Sequence, residues 1–167
     1  MKRQILTYAL LVLVVTLLAI QLIHPAKNLS GNNQNHISNT YAMPESVAQI
    51  LKTSCNDCHS NFTEYSWYSS IQPVDWWLQN HVNEGKRGLN LSEFGTYRIF
   101  KQYHKLEETI EMIDEGEMPL SSYTLIHSNA KLSMEQKALL KSWASDILDS
   151  MKATYPADSL VNPVKKP

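Results

Sequence analysis

The chain has 167 residues, of which 15 are Lys or Arg and 16 are Asp or Glu, so its formal net charge is −1. Setting aside Lys2 and Arg3 at the N-terminus leaves 13 basic residues against 16 acidic ones. This balance argues against a nucleic-acid partner, which would need a basic face. The roughly 110 residues from 42 to 152 suffice for one small hydrophobic core, so we expect one domain.

The segment from Ile5 to Ile23 contains no charged residue. As an α-helix it would be about 28 Å long, close to the hydrocarbon thickness of a bilayer. It lacks the small-x-small pattern of a signal-peptide cleavage site, so an uncleaved anchor is favoured over a removed signal peptide. Lys2 and Arg3 precede the segment and should stay in the cytoplasm. Residues 1–23 are therefore predicted to be a single-pass signal anchor in the inner (cytoplasmic) membrane, with the rest of the chain in the periplasm.

Two further segments have the composition of unstructured chain. Residues 24–41 are rich in Asn, Ser and Gly without hydrophobic periodicity, which predicts a flexible linker. Residues 153–167 contain Pro156 and Pro163 and are predicted to form a disordered tail. The folded domain is then expected to span residues 42–152.

Apolar residues recur at helical spacing within that domain, and no segment alternates as a strand does. The pattern predicts a short helix running into Cys55, a loop over 61–71, and helices over 74–86 and 105–115. Pro73 opens the second of these helices and Gly116 ends the third. Ser133 and Gln136 fit a capping box for a last helix, and its apolar face is predicted to be Ala138, Leu139, Trp143, Ile147 and Met151. The fold class is therefore all-α.

Between the first two helices lies Cys55-Asn56-Asp57-Cys58-His59, and its two cysteines are the only ones in the chain. The pattern C-x-x-C-H is the attachment signature of a c-type haem. Two thiols on one turn can each form a thioether to one edge of the porphyrin, and the adjacent histidine can ligate the iron. The sequence thus predicts one covalent haem c on Cys55 and Cys58, with His59 as the proximal iron ligand.

Other uses of a cysteine pair fit less well. A structural zinc site usually needs four ligands, and no second cysteine pair is present. A thioredoxin-like redox pair belongs in a βαβ setting, for which the sequence gives no sign. A structural disulfide across so short a gap would be strained and easily reduced.

The second axial ligand is less well determined. Met118 is the leading candidate because it follows the helix stop at Gly116 and precedes Pro119, whose fixed φ would stiffen the loop. A thioether ligand would raise the potential of the iron. His127, in a loop before the last helix, and His81, on the second helix, are the alternatives, and an open site is another. Met118 could also be a core residue, as methionine often is.

The sequence also resembles the bacterial haem-binding domain family of membrane-anchored, single-haem proteins. The likeness covers roughly residues 45–145, and its blocks are the Cys55–His59 motif, Trp67-Tyr68, Pro73-Val74-Asp75-Trp76, His81-Val82-Asn83-Glu84-Gly85, Leu89-Asn90-Leu91-Ser92 and Met118-Pro119. The resemblance implies haem binding outside the cytoplasm. The insert between the motif and Met118 is longer and richer in Trp than in small soluble cytochromes c.

These observations together predict a small cytochrome c-like helical domain around one covalent haem, tethered by a transmembrane helix. The expected function is a non-enzymatic electron carrier that exchanges electrons with redox partner proteins in the membrane or periplasm. Two alternatives have an open distal site: a haem-based sensor or ligand-binding module, and a haem peroxidase. A peroxidase needs an acid-base group beside the haem, for which Glu84, Glu117 and His127 are candidates.

Overall fold

The computed structural model describes residues 1–162, and over this range the chain is all-α, as the sequence predicts. Its α-helices are α1 (Lys2–Ile20), α2 (Ile37–Thr40), α3 (Glu45–Ser54), α4 (Asn56–His59), α5 (Val74–Gly88), α6 (Ile99–Glu115), α7 (Ser121–Ile126) and α8 (Met134–Thr154). Short 3-10 helices lie at Trp67–Ser70, Leu91–Thr96, Ser128–Ala130 and Ala157–Ser159. Within the described range no strand forms, and the backbone pairing of Leu29 with Phe62 is an isolated bridge.

The hydrophobic core lies where α6 packs along α8 and α3 packs against α8. These three helices supply most of its buried side chains, and α2, the 3-10 helix Leu91–Thr96 and Leu132 just before α8 supply the rest. The buried core side chains of α3, α6 and α8 are Val47, Ile50, Leu51, Leu106, Ile113, Leu140, Trp143, Ala144, Ile147, Leu148 and Met151. The short helix α4 follows α3 directly, so the motif residues start at the edge of this core.

The helix α6 begins at Ile99, earlier than the predicted start at 105, and ends where predicted. Its C-cap Gly116 has φ 75°, a left-handed conformation that a glycine adopts without steric cost. The sequence pattern does not predict the first part of α6, residues 99–104. The buried residue there is Gln102, which interrupts the apolar pattern. Its amide donates to the carbonyl oxygen of Tyr97 at 2.7 Å and accepts from the hydroxyl of Tyr41 at 2.6 Å.

The capping box predicted for the last helix is present. Ser133 Oγ accepts from the backbone N–H of Gln136 at 3.2 Å, and Gln136 Oε1 accepts from the N–H of Ser133 at 2.8 Å. The predicted apolar face is correct at Trp143, Ile147 and Met151 and wrong at Ala138 and Leu139, which are exposed. Leu140 is buried instead. Because two leucines stand side by side, a repeat of 3.6 residues fits either one, and packing against α6 selects between them.

The structure differs from the prediction of a flexible linker over residues 24–41. Ile37 is 1% exposed and belongs to the core with Leu91 and Phe94. Asn28 is buried, and its amide donates to the carbonyl oxygen of Ser60 and to Thr63 Oγ1, both at 2.9 Å. The polar composition was misread because these amides bind distant backbone and hydroxyl groups, which no local pattern reveals.

At the other end of the chain, α8 continues to Thr154 and a 3-10 helix follows at Ala157–Ser159. Leu160 packs against the core. The first part of the predicted tail over 153–167 is therefore folded against the domain. Residues 163–167 lie outside the described residues.

The helix α1 is the one helix within residues 1–162 that is long and apolar enough to cross a membrane. Its most apolar stretch has a mean hydropathy of 2.1, and none of that stretch is buried in the protein. The chain leaves α1 at Gln21 and meets the start of α5. Asp75 there, 0% exposed, binds His24 Nδ1 at 2.8 Å and Lys27 Nζ at 2.9 Å. The end of α1 is thus joined to the domain by buried polar contacts.

Candidate cofactor-binding site

A cavity of about 430 Å³ opens between α3, α4, α5, α6 and the loop that follows α6. This volume falls in the range of ordinary cofactor and ligand sites. Its walls are mainly apolar, and include Ile37, Leu51, Leu89, Leu91, Phe94, Leu106, Ile113, Leu120, Leu132, Leu140 and Trp143. A largely apolar molecule of cofactor size would therefore fit this cavity.

The cysteine motif forms part of the cavity wall. Cys55 ends α3, the next four residues form the single turn α4, and the backbone N–H of His59 donates to the carbonyl oxygen of Cys55 at 2.9 Å. Cys55, Cys58 and His59 all line the cavity. One turn of helix thus presents two thiols and an imidazole to the same space.

Both thiols are free. Burial, with a contribution from Cys58, raises the pKa of Cys55 to about 12. Burial, with a contribution from Asp57, raises the pKa of Cys58 to about 11. Redox-active and metal-binding cysteines have a lowered pKa, because the thiolate is the reactive form. The surroundings of this pair therefore do not favour a thioredoxin-like exchange reaction.

The imidazole of His59 is held by the residue that caps α5. His59 Nδ1 lies 3.0 Å from the carbonyl oxygen of Leu89, so this nitrogen carries the proton and donates. Burial lowers the pKa of His59, which keeps the ring neutral. Its Nε2 then retains a lone pair, and a backbone carbonyl on the opposite nitrogen is a common way to orient a metal-ligating histidine.

Met118 also lines the cavity, in the short loop between α6 and α7. Its backbone N–H donates to the carbonyl oxygen of Met112 at 3.2 Å, which ties the loop to the last turns of α6. Met112 itself lines the cavity. Its spacing from Lys105 and Thr109, which line the same wall, is helical and could have identified it.

The two histidine alternatives to Met118 have different positions. His81 lines the cavity, with Nδ1 2.9 Å from the carbonyl oxygen of Trp77 and its ring 4.3 Å from the ring of Trp77. His127 lies outside the cavity wall. Its Nε2 is 2.6 Å from the hydroxyl of Tyr68, so this nitrogen is engaged.

A polar and aromatic cluster beside the motif was missed by the sequence analysis. The ring of Tyr123 stacks on His127 with centroids 4.3 Å apart, and its hydroxyl donates to Asp57 Oδ2 at 2.7 Å. Burial first, and the bond to Asp57 second, raise the pKa of Tyr123. The cluster joins α7 to α4, and residues so far apart in sequence give no local signal of their contact.

The residues that meet in the cavity fit a haem. Two thiols, an imidazole with a free Nε2 and a thioether share one apolar space of cofactor size. A family model described as a haem-binding domain matches residues 15–146. The matched range contains the cysteine motif, α5, α6 and Met118. Searches of curated proteins and of solved structures found no match.

Proposed function

The chain belongs to the haem-binding domain family, and from this premise we propose that it is a membrane-tethered c-type cytochrome that carries single electrons outside the cytoplasm. The observation that supports the proposal most directly is the meeting of Cys55, Cys58, His59 and Met118 in one cavity. The redox partners would be proteins of the membrane or the periplasm.

Each of these side chains has a role in the proposal. Cys55 and Cys58 would hold one haem c through two thioether bonds, and His59 would ligate its iron through Nε2 as the proximal ligand. Met118 would supply the distal ligand through its sulfur. A haem bound in this way supplies a one-electron couple whose potential a thioether ligand raises.

Other residues exclude water from the site. The apolar walls from α3, α6 and α8 lower the local dielectric and keep solvent from the ligands. The carbonyl oxygen of Leu89 fixes the His59 ring, and the loop from Gly116 to Pro119 brings Met118 to the cavity. A buried site of this kind exchanges electrons with little reorganisation of its surroundings.

The membrane tether follows from α1 and its flanks. The helix has the length and hydropathy of a membrane span, and Lys2 and Arg3 precede it. Basic residues stay on the cytoplasmic side, so the domain would face the periplasm from the inner membrane. An uncleaved anchor is the form proposed here.

Glu84 supports a second candidate function. It lines the cavity, whereas Glu117 and His127, the other acid-base candidates, do not. If the distal position were open, Glu84 would be the one of these three candidates available for acid-base chemistry at a peroxidase or ligand-binding site.

One experiment separates the two functions. The electron carrier is expected to show low-spin iron with a sulfur-to-iron charge-transfer band when oxidised, and no binding of carbon monoxide when reduced. High-spin iron that binds carbon monoxide readily would overturn the carrier and favour the open-site alternative.

A further inference from the structure

Exposed apolar side chains surround the point at which the chain leaves α1. Ile71, Val74 and Trp76 are exposed, and Gln72 and Asp75, which alternate with them in the chain, are buried. We call these three exposed residues the anchor-side patch. Large exposed apolar groups side by side indicate a surface that meets another apolar phase.

Trp76 of the patch, and Gln72 between the patch residues, hydrogen-bond to the residues that follow α1. The backbone N–H of Gln72 donates to Gln21 Oε1 at 2.9 Å, and the side chain of Gln72 donates to the carbonyl oxygen of Ile23 at 2.7 Å. The indole N–H of Trp76 donates to that same carbonyl oxygen at 3.0 Å. Gln72 and Trp76 therefore each lie one hydrogen bond from the last residues of the apolar segment, and Ile71 and Val74 are their neighbours in the chain.

We propose that the anchor-side patch of Ile71, Val74 and Trp76 inserts into the headgroup region of the same bilayer that holds α1, so that the domain docks on the lipid surface. The inference rests on the membrane anchoring put forward under the proposed function. If α1 spans the bilayer, Gln21 and Ile23 lie at its surface, and the residues bonded to them lie at the same depth.

The chemistry of the patch fits this depth. Trp is enriched at membrane interfaces, where its ring lies among acyl chains and its N–H meets a polar acceptor. Trp76 has both features, an exposed ring and a bonded N–H. The carboxylate of Asp75 presents no charge to the lipid, because it is buried and paired with Lys27 and His24.

The sequence makes this docking measurable in the intact protein. The chain has four tryptophans, at 67, 76, 77 and 143, and none lies in α1. Quenching of Trp emission by lipid therefore reports contact of the domain, not of the anchor. The full-length haem-loaded protein is placed in nanodiscs with phospholipids brominated near the headgroup, and in matched nanodiscs without bromine.

We expect Trp emission to be lower in the brominated discs, and Trp76→Phe to lose most of that difference. Trp143→Phe is the matched control, because Trp143 is buried in the core and donates to the carbonyl oxygen of Ala42. It should leave the difference unchanged. The haem absorbs emission equally in both kinds of disc, so the comparison is unaffected by it.

Each of the following results would contradict the proposal that the anchor-side patch docks on the lipid surface. If the wild-type protein co-elutes with the discs but its Trp emission is not quenched by bromine, the chain is anchored and the domain is held away from the lipid. Quenching that Trp76→Phe leaves intact would place another face on the bilayer. Trp76 could also be protected from oxidation in native membranes while its emission is not quenched in the discs. That result would show that the patch binds a protein partner and not the lipid. A chain that fails to insert into discs would reject the anchor as well.

Discussion

A Cβ atom placed on Gly85 would lie 2.6 Å from the carbonyl oxygen of Cys58 and 3.0 Å from the Cys58 Cβ. At this point α5 approaches α4 more closely than any residue with a side chain allows. Cys58 and His59 both belong to α4. The packing of α5 against α4 at Gly85 therefore sets the position of the motif in the cavity wall. Gly85 is thus required for the close packing of α5 against the cysteine motif.

Gly85→Ala should force α5 away from α4, and overpacking of this kind destabilises a protein by about 1–3 kcal/mol. We expect a lower melting temperature by circular dichroism and less haem per chain. Gly88→Ala, three residues further along the same helix, is the matched control, because its added Cβ meets nothing within 4 Å. Equal melting temperatures for the two variants would contradict the close approach.

The double variant Cys55→Ala with Cys58→Ala should carry no haem after denaturation, because no thioether can form. Mass spectrometry of the denatured chain measures the covalent adduct directly. Ser54→Ala changes another residue of the cavity wall and should keep the adduct. Covalent haem on the double variant would refute attachment through the motif.

Met118→Ala should open the distal site to carbon monoxide, and Met118→His should keep low-spin iron at a lower midpoint potential. Imidazole stabilises oxidised iron more than a thioether does, which sets the sign of the shift. Absorption spectra and potentiometric titration measure both effects. Met112→Ala is the control, since Met112 lines the same cavity from α6. If Met118→Ala changes neither property, His81 becomes the ligand to test.

Asp75→Asn should lower the free energy of unfolding at neutral pH by about 1.5–3 kcal/mol, because it removes the charged acceptor of the hydrogen bonds from Lys27 and His24. Burial alone would raise the pKa of Asp75, but hydrogen bonds and charge from Lys27 and His24 hold it below the ordinary 3.8. A lowered carboxyl pKa stabilises the fold above the ordinary value, and the contribution is lost as pH falls through the lower folded value.

Denaturant titrations at several pH values measure this effect. The difference in free energy of unfolding between wild type and Asp75→Asn should be largest at neutral pH and should disappear in strong acid. Asp149→Asn is the control, because Asp149 is 74% exposed in its pair with Lys152, and exposed pairs contribute little. A gap that does not change with pH would show that the charge of Asp75 is not the cause.

Ile37→Ala tests whether residues 24–41 belong to the domain. Truncation of a buried Ile costs about 2–5 kcal/mol, so the free energy of unfolding should fall by that order. Leu29→Ala is the matched control in the same segment, since Leu29 is 55% exposed. Equal free energies of unfolding for the two variants would instead support the prediction that residues 24–41 are a flexible linker.

Features predicted correctly from the sequence depend on neighbours along the chain. The capping box of Ser133 and Gln136 is a contact between residues three apart, and the stop at Gly116 depends on one backbone angle. The C-x-x-C-H motif is likewise contained in one turn, so the presence of its three side chains in one wall follows locally.

What the sequence did not reveal depends on contacts between distant segments. Asn28 is ordered by Ser60 and Thr63, and Tyr123 by Asp57. Such polar pairs leave no periodic signal, so the first was read as linker and the second was missed. The choice between Leu139 and Leu140 on α8 likewise depends on where α6 lies.

The ordered segment that follows α1 also determines how far the haem site can travel. A flexible chain of about 18 residues would let the domain range over roughly 20–25 Å. With Asn28 and Ile37 fixed to the domain, a domain anchored by α1 would lose that freedom, and its cavity would stay at one height and tilt above the lipid. A redox partner of such an anchored domain would have to arrive by lateral diffusion with its donor group already at that height, or would have to supply the flexible arm itself.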